Sequence, residues 1–144
     1  MDVRVKKLKE NAILPTYGSA QAAGADLYAC LEEPVTVEPG CTVFIPTGLA
    51  MELPTGYVGL IYARSGLACK RDLAPANKVG VIDSDYRGEF IVALHNHGKT
   101  PQTVAHAERI AQLVITPVVQ AAFYQADSLS DTDRAAGGFG STGK

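Results

Sequence analysis

The chain has 144 residues (15.2 kDa), of which 47% are apolar and 19% charged, and a formal net charge of −2. This is the size of one ordinary domain, large enough to bury roughly 68–70% of its unfolded surface, and its composition is neither that of a disordered chain nor of a membrane-embedded one. Thirteen Lys and Arg against fifteen Asp and Glu leave no basic excess for a nucleic-acid backbone.

The opening segment, MDVRVKKLKENAILP, carries charges where a signal peptide needs an apolar core, and no apolar run in the chain is long enough to span a bilayer. The expectation is a cytoplasmic protein without nucleic-acid or membrane partners. Cys30, Cys41 and Cys69 are odd in number and lack C-x-x-C spacing. They read as small buried hydrophobes in a reducing compartment, not as a disulfide framework or metal site.

From Val3 to about Tyr124, short β-branched runs alternate with turn signals. The runs are VRV (3–5), VTV (35–37), TVFI (42–45), YVGLIY (57–62), EFIVAL (89–94) and QLVIT (112–116). Between them fall Pro39-Gly40, Pro54-Thr55-Gly56, Asp85-Tyr86-Arg87-Gly88 and Asn96-His97-Gly98. This spacing predicts an all-β sandwich or barrel. Both faces of 89–94 are apolar, which predicts a central or doubly covered strand. One short helix is expected, near Leu67–Arg71.

Three segments offer chemistry. In ARSGLA (63–68), Arg64 supplies fixed charge, Ser65 a hydroxyl and Gly66 close backbone access for a phosphate. A solvated turn accounts for this segment about as well. In NKVGVIDSDYRGEF (77–90), a strand from Val79 to Ile82 enters a polar turn and returns through Phe90, leaving Asp83 and Asp85 at the rim. The pair reads as two metal ligands, as one base and one turn residue, or as turn residues only. Tyr86 adds a flat face for a sugar or base. His95 and His97, spaced as same-face strand neighbours, read as structural.

Residues 125–144 form the third segment, a Ser-, Asp- and Gly-rich tail without periodicity. Gly138–Lys144 spells G-x-x-x-x-G-K, but no strand precedes it and neither a Ser or Thr nor a helix follows in the sequence, so it reads as a decoy of a phosphate-binding loop. A frayed end is the ordinary fate of such a tail. Yet Phe139 flanked by glycines, downstream of Arg134, suggests an arm that orders on a ligand, with Arg134 taking phosphate oxygens and Phe139 stacking on a planar group.

Taken together, AGADLYA (23–29), ARSGLA (63–68), GVIDSDYRGEF (80–90), ERIAQLVI (108–115) and RAAGGFGSTG (134–143) resemble, in order and in spacing, the five motifs of the homotrimeric dUTP pyrophosphatases (dUTPases). The resemblance covers nearly the whole chain. It implies a jelly-roll-like β-barrel or sandwich over residues 1–124, and a flexible C-terminal arm over 125–144 that closes over an active site lying between subunits of a homotrimer. It implies hydrolysis of dUTP to dUMP and pyrophosphate by in-line attack of water on the α-phosphorus. That reaction keeps uracil out of DNA and supplies dUMP for thymidylate synthesis.

Residue by residue, Asp83 matches the carboxylate that orients and deprotonates the water, the task of a general base. Tyr86 matches the residue that packs on the deoxyribose and excludes a 2′-hydroxyl. Asn77 and the main chain around Val81, Ile82 and Ile91 match the uracil readers. Arg64, Ser65, Gly66 and Gln112 match phosphate binders. In the arm, Arg134 matches a γ-phosphate clamp, Phe139 the lid over uracil, and Gly140 and Ser141 further phosphate contacts. Mg²⁺ is implied on the triphosphate without direct protein ligands, with Asp26 touching its water shell. A rigid backbone reading uracil would leave polar groups unpaired against cytosine, a mismatch that can cost roughly 10⁴–10⁵ in discrimination. Ala107 and Ala135 depart from the family, which commonly has Gly at both places; where φ must be positive, alanine resists it. The related dCTP deaminases, a non-hydrolytic nucleotide sensor and a ligand-free structural trimer are the alternative readings.

Overall fold

Burial alternates residue by residue along short segments, as strands with one face on a core require. The computed structural model describes residues 1–138, which form β1 (Arg4–Lys7), β2 (Thr16–Tyr17), β3 (Ala25–Tyr28), β4 (Val35–Val37), β5 (Thr42–Glu52), β6 (Tyr57–Tyr62), α1 (Ser65–Arg71), β7 (Leu73–Pro75), β8 (Gly80–Ile82), β9 (Glu89–Asn96), β10 (Gln102–Val104) and β11 (Arg109–Pro117). Three sheets result, ordered β1-β5-β9-β7, β10-β4 and β2-β3-β11-β6-β8. Every described pairing is antiparallel. The described residues are therefore all-β with one short helix, as the turn spacing implies. No described helix is long and apolar enough to cross a membrane.

One apolar cluster draws on all three sheets. Leu49, Phe90, Val92 and Leu94 meet Leu27, Ile61, Ala111 and Leu113, with Val37 and Val104 sealing the side. Burying each large aliphatic side chain stabilises the fold by about 1.5–3 kcal/mol. Asn96 is fully buried among them and fully satisfied: Nδ2 donates to the carbonyls of Val37 and Thr100, both at 2.8 Å, and Oδ1 accepts from the Gly98 amide at 2.9 Å. It fastens β4 to the turn after β9.

Strand β9 is central, as its composition requires, lying between β5 and β7. Its two faces differ, however. Phe90, Val92 and Leu94 are buried, whereas Ile91 is 44% exposed and Ala93 half-buried. The helix begins two residues earlier than expected, at Ser65, and ends where Asp72 turns left-handed (φ 54°).

The cysteines divide. Cys30 is buried and its thiol donates to Asn11 Oδ1 at 3.3 Å; burial above all, then the Glu89 carboxylate, pushes its pKa up. Cys41 and Cys69 are exposed in the single chain, against the expectation of burial. The reason is local, since α1 buries Leu67 alone and Cys69 falls outside that face, while Cys41 precedes β5 in a turn. His95 and His97 stack edge to face with ring centroids 4.4 Å apart, and His95 Nδ1 shares a hydrogen bond with Thr42 Oγ1 at 2.9 Å.

Strand β5 carries an irregularity that matters for the site. Its pairing with β9 jumps from Pro46↔Ile91 to Ala50↔Glu89, so Thr47, Gly48 and Leu49 bulge opposite Phe90. Gly48 adopts φ +68°, and a Cβ there would lie 2.8 Å from both Cys30 Sγ and Ala12 Cβ. Both the backbone and the space demand glycine. Gly48→Ala is expected to destabilise the fold by about 2–4 kcal/mol, the sum of the left-handed strain and the overpacking, read as a lower midpoint in denaturant unfolding.

Candidate active site

Strands β8 and β9 form an unusual hairpin, because its two arms belong to different sheets. Strand β8 pairs with β6 alone (Gly59↔Ile82, Leu60↔Val81, Ile61↔Gly80), while β9 runs between β5 and β7. The intervening turn, 83–88, thus bridges the two layers. Its conformation is held internally: the Tyr86 amide donates to Asp83 O at 3.2 Å, and Arg87 Nη1 donates to Ser84 O at 2.7 Å and Tyr86 O at 3.0 Å. Glu52 stands 3.9 Å from Arg87 and takes Arg4 at 2.5 Å, tying β1 to the turn.

Around this hairpin lies an open groove. One end, of about 180 Å³, is bordered by Val81, Ile82, Asp83, Tyr86, Glu89 and Ile91; the other by Asn77, Phe44, Gly80 and again Val81, Ile82 and Ile91. The shared residues make one continuous apolar floor, with Asn77 at one end and Asp83 and Tyr86 at the other. Strand β8 is the edge of its sheet, so its outer backbone groups are free to read a planar polar ring. Asp85 borders a different depression, with Arg4, Pro54 and Thr55. The two rim aspartates thus face different surroundings, and only Asp83 borders the groove. Tyr86 is set by its hydroxyl, which donates to Glu89 O at 3.0 Å, and by Gly88, where a Cβ would collide with that hydroxyl.

A second cluster sits at the other end of β6. Asp26 is held against Arg64, whose Nε donates to Oδ1 at 2.7 Å, and against Arg109, whose Nη1 donates to Oδ2 at 3.2 Å. Register brings them together, since Gln112 pairs with both Asp26 and Tyr62 across β11. Gln112 Nε2 donates to Ala63 O at 2.8 Å and fixes the segment that leads to Arg64. Ser65 and Gly66 are exposed at the start of α1, and nothing in the described chain stands within 4 Å of a Cβ placed on Gly66. Two cations share one anion here, leaving a surplus of positive charge directed at solvent, suited to a polyanion.

Sequence reading overlooks part of this cluster. Arg109 lies inside ERIAQLVI, where its place as the one basic residue, beside Glu108, is the available signal. Arg71 has none: it closes α1 against the β10–β11 segment through Glu108, through Gln102 Oε1 at 3.0 Å and through Thr103 O at 2.5 Å. Ala107 adopts φ 63° and Ala135 φ 44°, so both alanines occupy left-handed positions that glycine would take without strain.

Beyond β11, residues 118–138 form neither strand nor helix. Arg134 closes a small turn by donating from Nε to Gly137 O at 2.9 Å. Phe139, Gly140 and Ser141 lie outside the described residues.

The groove and the cationic cluster are far apart within one chain. Asp83 follows Ile82, which faces Gly59, whereas Arg64 lies two residues beyond the end of β6. At about 3.3 Å per residue that offset is roughly 20 Å along the strand direction.

Comparison with known proteins bears on this arrangement. The dUTPase family model matches residues 10–143. A deoxyuridine 5′-triphosphate nucleotidohydrolase of Desulfitobacterium hafniense is 57% identical over 90% of this chain and 87% of its own. One from Syntrophotalea carbinolica is 48% identical over 98% and 96%. Among solved structures, a point mutant of the dUTPase of Staphylococcus bacteriophage 80alpha, with dUpNHpp, superposes with a TM-score of 0.91 at 29% identity, covering 99% of each chain. A point mutant of the dUTPase of the S. aureus phage phi11, whose structure details the coordination of a structural Mg(II) ion, is similar at a TM-score of 0.81 and 26% identity, over 89% of this chain and 98% of its own.

Asp26→Ala would leave Arg64 and Arg109 without their shared acceptor. With the pair to half-exposed Arg109 discounted for screening, a loss of about 1–3 kcal/mol is expected, checked by thermal unfolding at low and high salt, the loss shrinking as salt rises.

Proposed function

The chain belongs to the dUTPase family and is a dUTP-hydrolysing enzyme, and we propose that its groove and its cationic cluster, contributed by different copies of the chain, form the two ends of one active site. The observation that carries this reading is their separation. A water-activating carboxylate must lie within about 3 Å of its water, and the water within about 3–3.5 Å of the phosphorus. Asp83 and Arg64 of one chain, roughly 20 Å apart, cannot meet on one triphosphate in that way. A homotrimer with sites between subunits brings one chain's hairpin to another's Arg64, Ser65, Gly66 and Gln112.

In this reading uracil lies on the Val81–Ile82–Ile91 floor, read by Asn77 and by the open edge of β8. Tyr86 packs on the deoxyribose and leaves no room for a 2′-hydroxyl. Asp83 accepts a proton from water as the oxygen attacks the α-phosphorus in line. The bond from that phosphorus to the oxygen bridging the β-phosphate breaks, and dUMP and pyrophosphate leave. Residues 1–124 supply the folded body. Residues 125–144 act as an arm over the site, Arg134 clamping the γ-phosphate, Phe139 covering uracil, and Gly140 and Ser141 adding phosphate contacts. The left-handed backbone at Ala135 costs that arm about 1–2 kcal/mol relative to glycine. The setting proposed is the cytoplasm, where the reaction lowers dUTP and yields dUMP.

The donor set near the site fits Mg²⁺ that arrives on the triphosphate. Among the described residues no three His, Cys, Asp or Glu side chains gather as a cage, and Asp26 already shares each oxygen with a guanidinium. Its remaining lone pairs suit the water shell of a hydrated ion. When bound, the ion neutralises phosphate charge.

Asp83→Asn is expected to keep substrate binding and lower turnover by about 10²–10⁴, some 3–5 kcal/mol of barrier, measured as pyrophosphate release from dUTP with Mg²⁺; full activity would remove Asp83 from its role. Deleting residues 134–144 is expected to leave the trimer intact by light scattering while nearly abolishing turnover. A truncated enzyme with normal rates would reduce the tail to a frayed end.

A further inference from the structure

On the β9 side the bulge in β5 leaves three residues opposite Phe90. Toward β1, Leu49 keeps its pairing with Lys7 and Gly48 O takes the Leu8 amide at 2.7 Å, but the groups turned toward β9 need substitutes for the missing ladder partners. The Thr47 hydroxyl, fully buried, donates to Phe90 O at 2.6 Å and accepts from the Leu49 amide at 3.3 Å. The amide of buried Gly48 donates to the side chain of Glu89, Oε1, at 2.7 Å. Glu89 is therefore held from the β5 side by its carboxylate as well as by its register with Ala50. From the turn side, its carbonyl receives the Tyr86 hydroxyl at 3.0 Å. The same residue takes a hydrogen bond from the bulge and gives Tyr86 its anchor.

From this geometry we infer that Glu89 is a positioning residue for substrate selection: by accepting the Gly48 amide it fixes the first residue of β9, and so the tilt of the Tyr86 ring that separates deoxyribose from ribose. The inference rests on the reading of Tyr86 given above. Besides that hydroxyl bond, the ring is confined by the close approach of Gly88, and its backbone by the Tyr86 amide on Asp83 O. Tyr86 is 42% exposed and meets Phe90 only loosely, at a centroid distance of 6.2 Å. If the start of β9 shifts, the acceptor shifts with it, and the ring turns away from the space a 2′-hydroxyl would enter. What the bulge needs from residue 89 is an acceptor of the right reach, not a negative charge. Glutamine offers the same carbonyl at the same distance. Aspartate is one methylene too short, and alanine leaves a buried amide unpaired.

The test measures kcat/KM for dUTP and for UTP in the full-length enzyme and in Tyr86→Ala, Glu89→Gln, Glu89→Asp and Glu89→Ala, with Tm for each. Tyr86→Ala should lower the dUTP/UTP ratio. Glu89→Asp and Glu89→Ala should lower it about tenfold, an ångström-scale misplacement being worth that much or more, while Glu89→Gln restores it to within about twofold of the parent. The aspartate variant carries the test should the alanine variant fail to fold. An unchanged ratio in both the aspartate and alanine variants, whatever happens to Tm, overturns the inference and leaves Glu89 a purely structural tie. A glutamine variant as unselective as alanine overturns it too, by showing that charge is what matters. An unchanged ratio in Tyr86→Ala removes the reading of Tyr86 itself, and this inference with it.

Discussion

Between Val79 and Ile91 the chain leaves one sheet and enters the other, and the positions of Asp83 and Tyr86 depend on that crossing. A hairpin within a single sheet has both arms hydrogen-bonded to each other and its turn in open solvent. Here β8 is bonded to β6 and β9 to β5 and β7, so the turn is braced at both ends by separate layers. Its own amide and guanidinium bonds fill the span. The same crossing leaves β8 as an edge strand with its outer backbone groups unclaimed. Edge strands are usually a liability; this one borders an apolar floor and suits a flat polar ring.

The second requirement is electrostatic. Arg64 is three-quarters buried at its side chain and Asp26 more so. Bringing such a guanidinium partly out of water is costly unless an anion accompanies it, and Asp26 is that anion. The Asp26 carboxylate is shared with Arg109, so the cluster keeps net positive charge in a fixed orientation before any ligand arrives. Preorganisation of this kind spares an incoming polyanion the cost of ordering long side chains.

Much of this is legible in the sequence. VTV and YVGLIY coincide with β4 and β6 residue for residue, because β-branched and aromatic side chains suit a pleated, half-buried surface. EFIVAL and QLVIT mark β9 and β11 but fall short of their full length. Strands β2, β3, β7 and β10 carry no such signal on their own. They are two to four residues long, and Ala25-Asp26 or Ala74-Pro75 are poor strand formers placed by their neighbours. The signal for β5 stops at Ile45, since Pro46 and Gly48 punctuate a strand that continues through a bulge. The fate of Cys41 and Cys69 depends on which helix face is buried and where a turn falls, which composition does not encode. At the site, motif order points to the groove residues and the cluster residues alike. That one chain keeps them apart emerges only from strand register, and the tie of Glu89 to the bulge only from the hydrogen bond its carboxylate accepts from the Gly48 amide.

On the proposed reading, a chain that carries the base at one end of β6 and the phosphate cations at the other holds two half-sites and no whole one. Turnover in such a protein is a property of the assembly and not of the protomer. Dilution would then silence it by mass action, with every chain still correctly folded. By the same logic, two crippled forms, one lacking its carboxylate and the other its guanidinium, would regain function when mixed, because some interfaces would join the intact half of each.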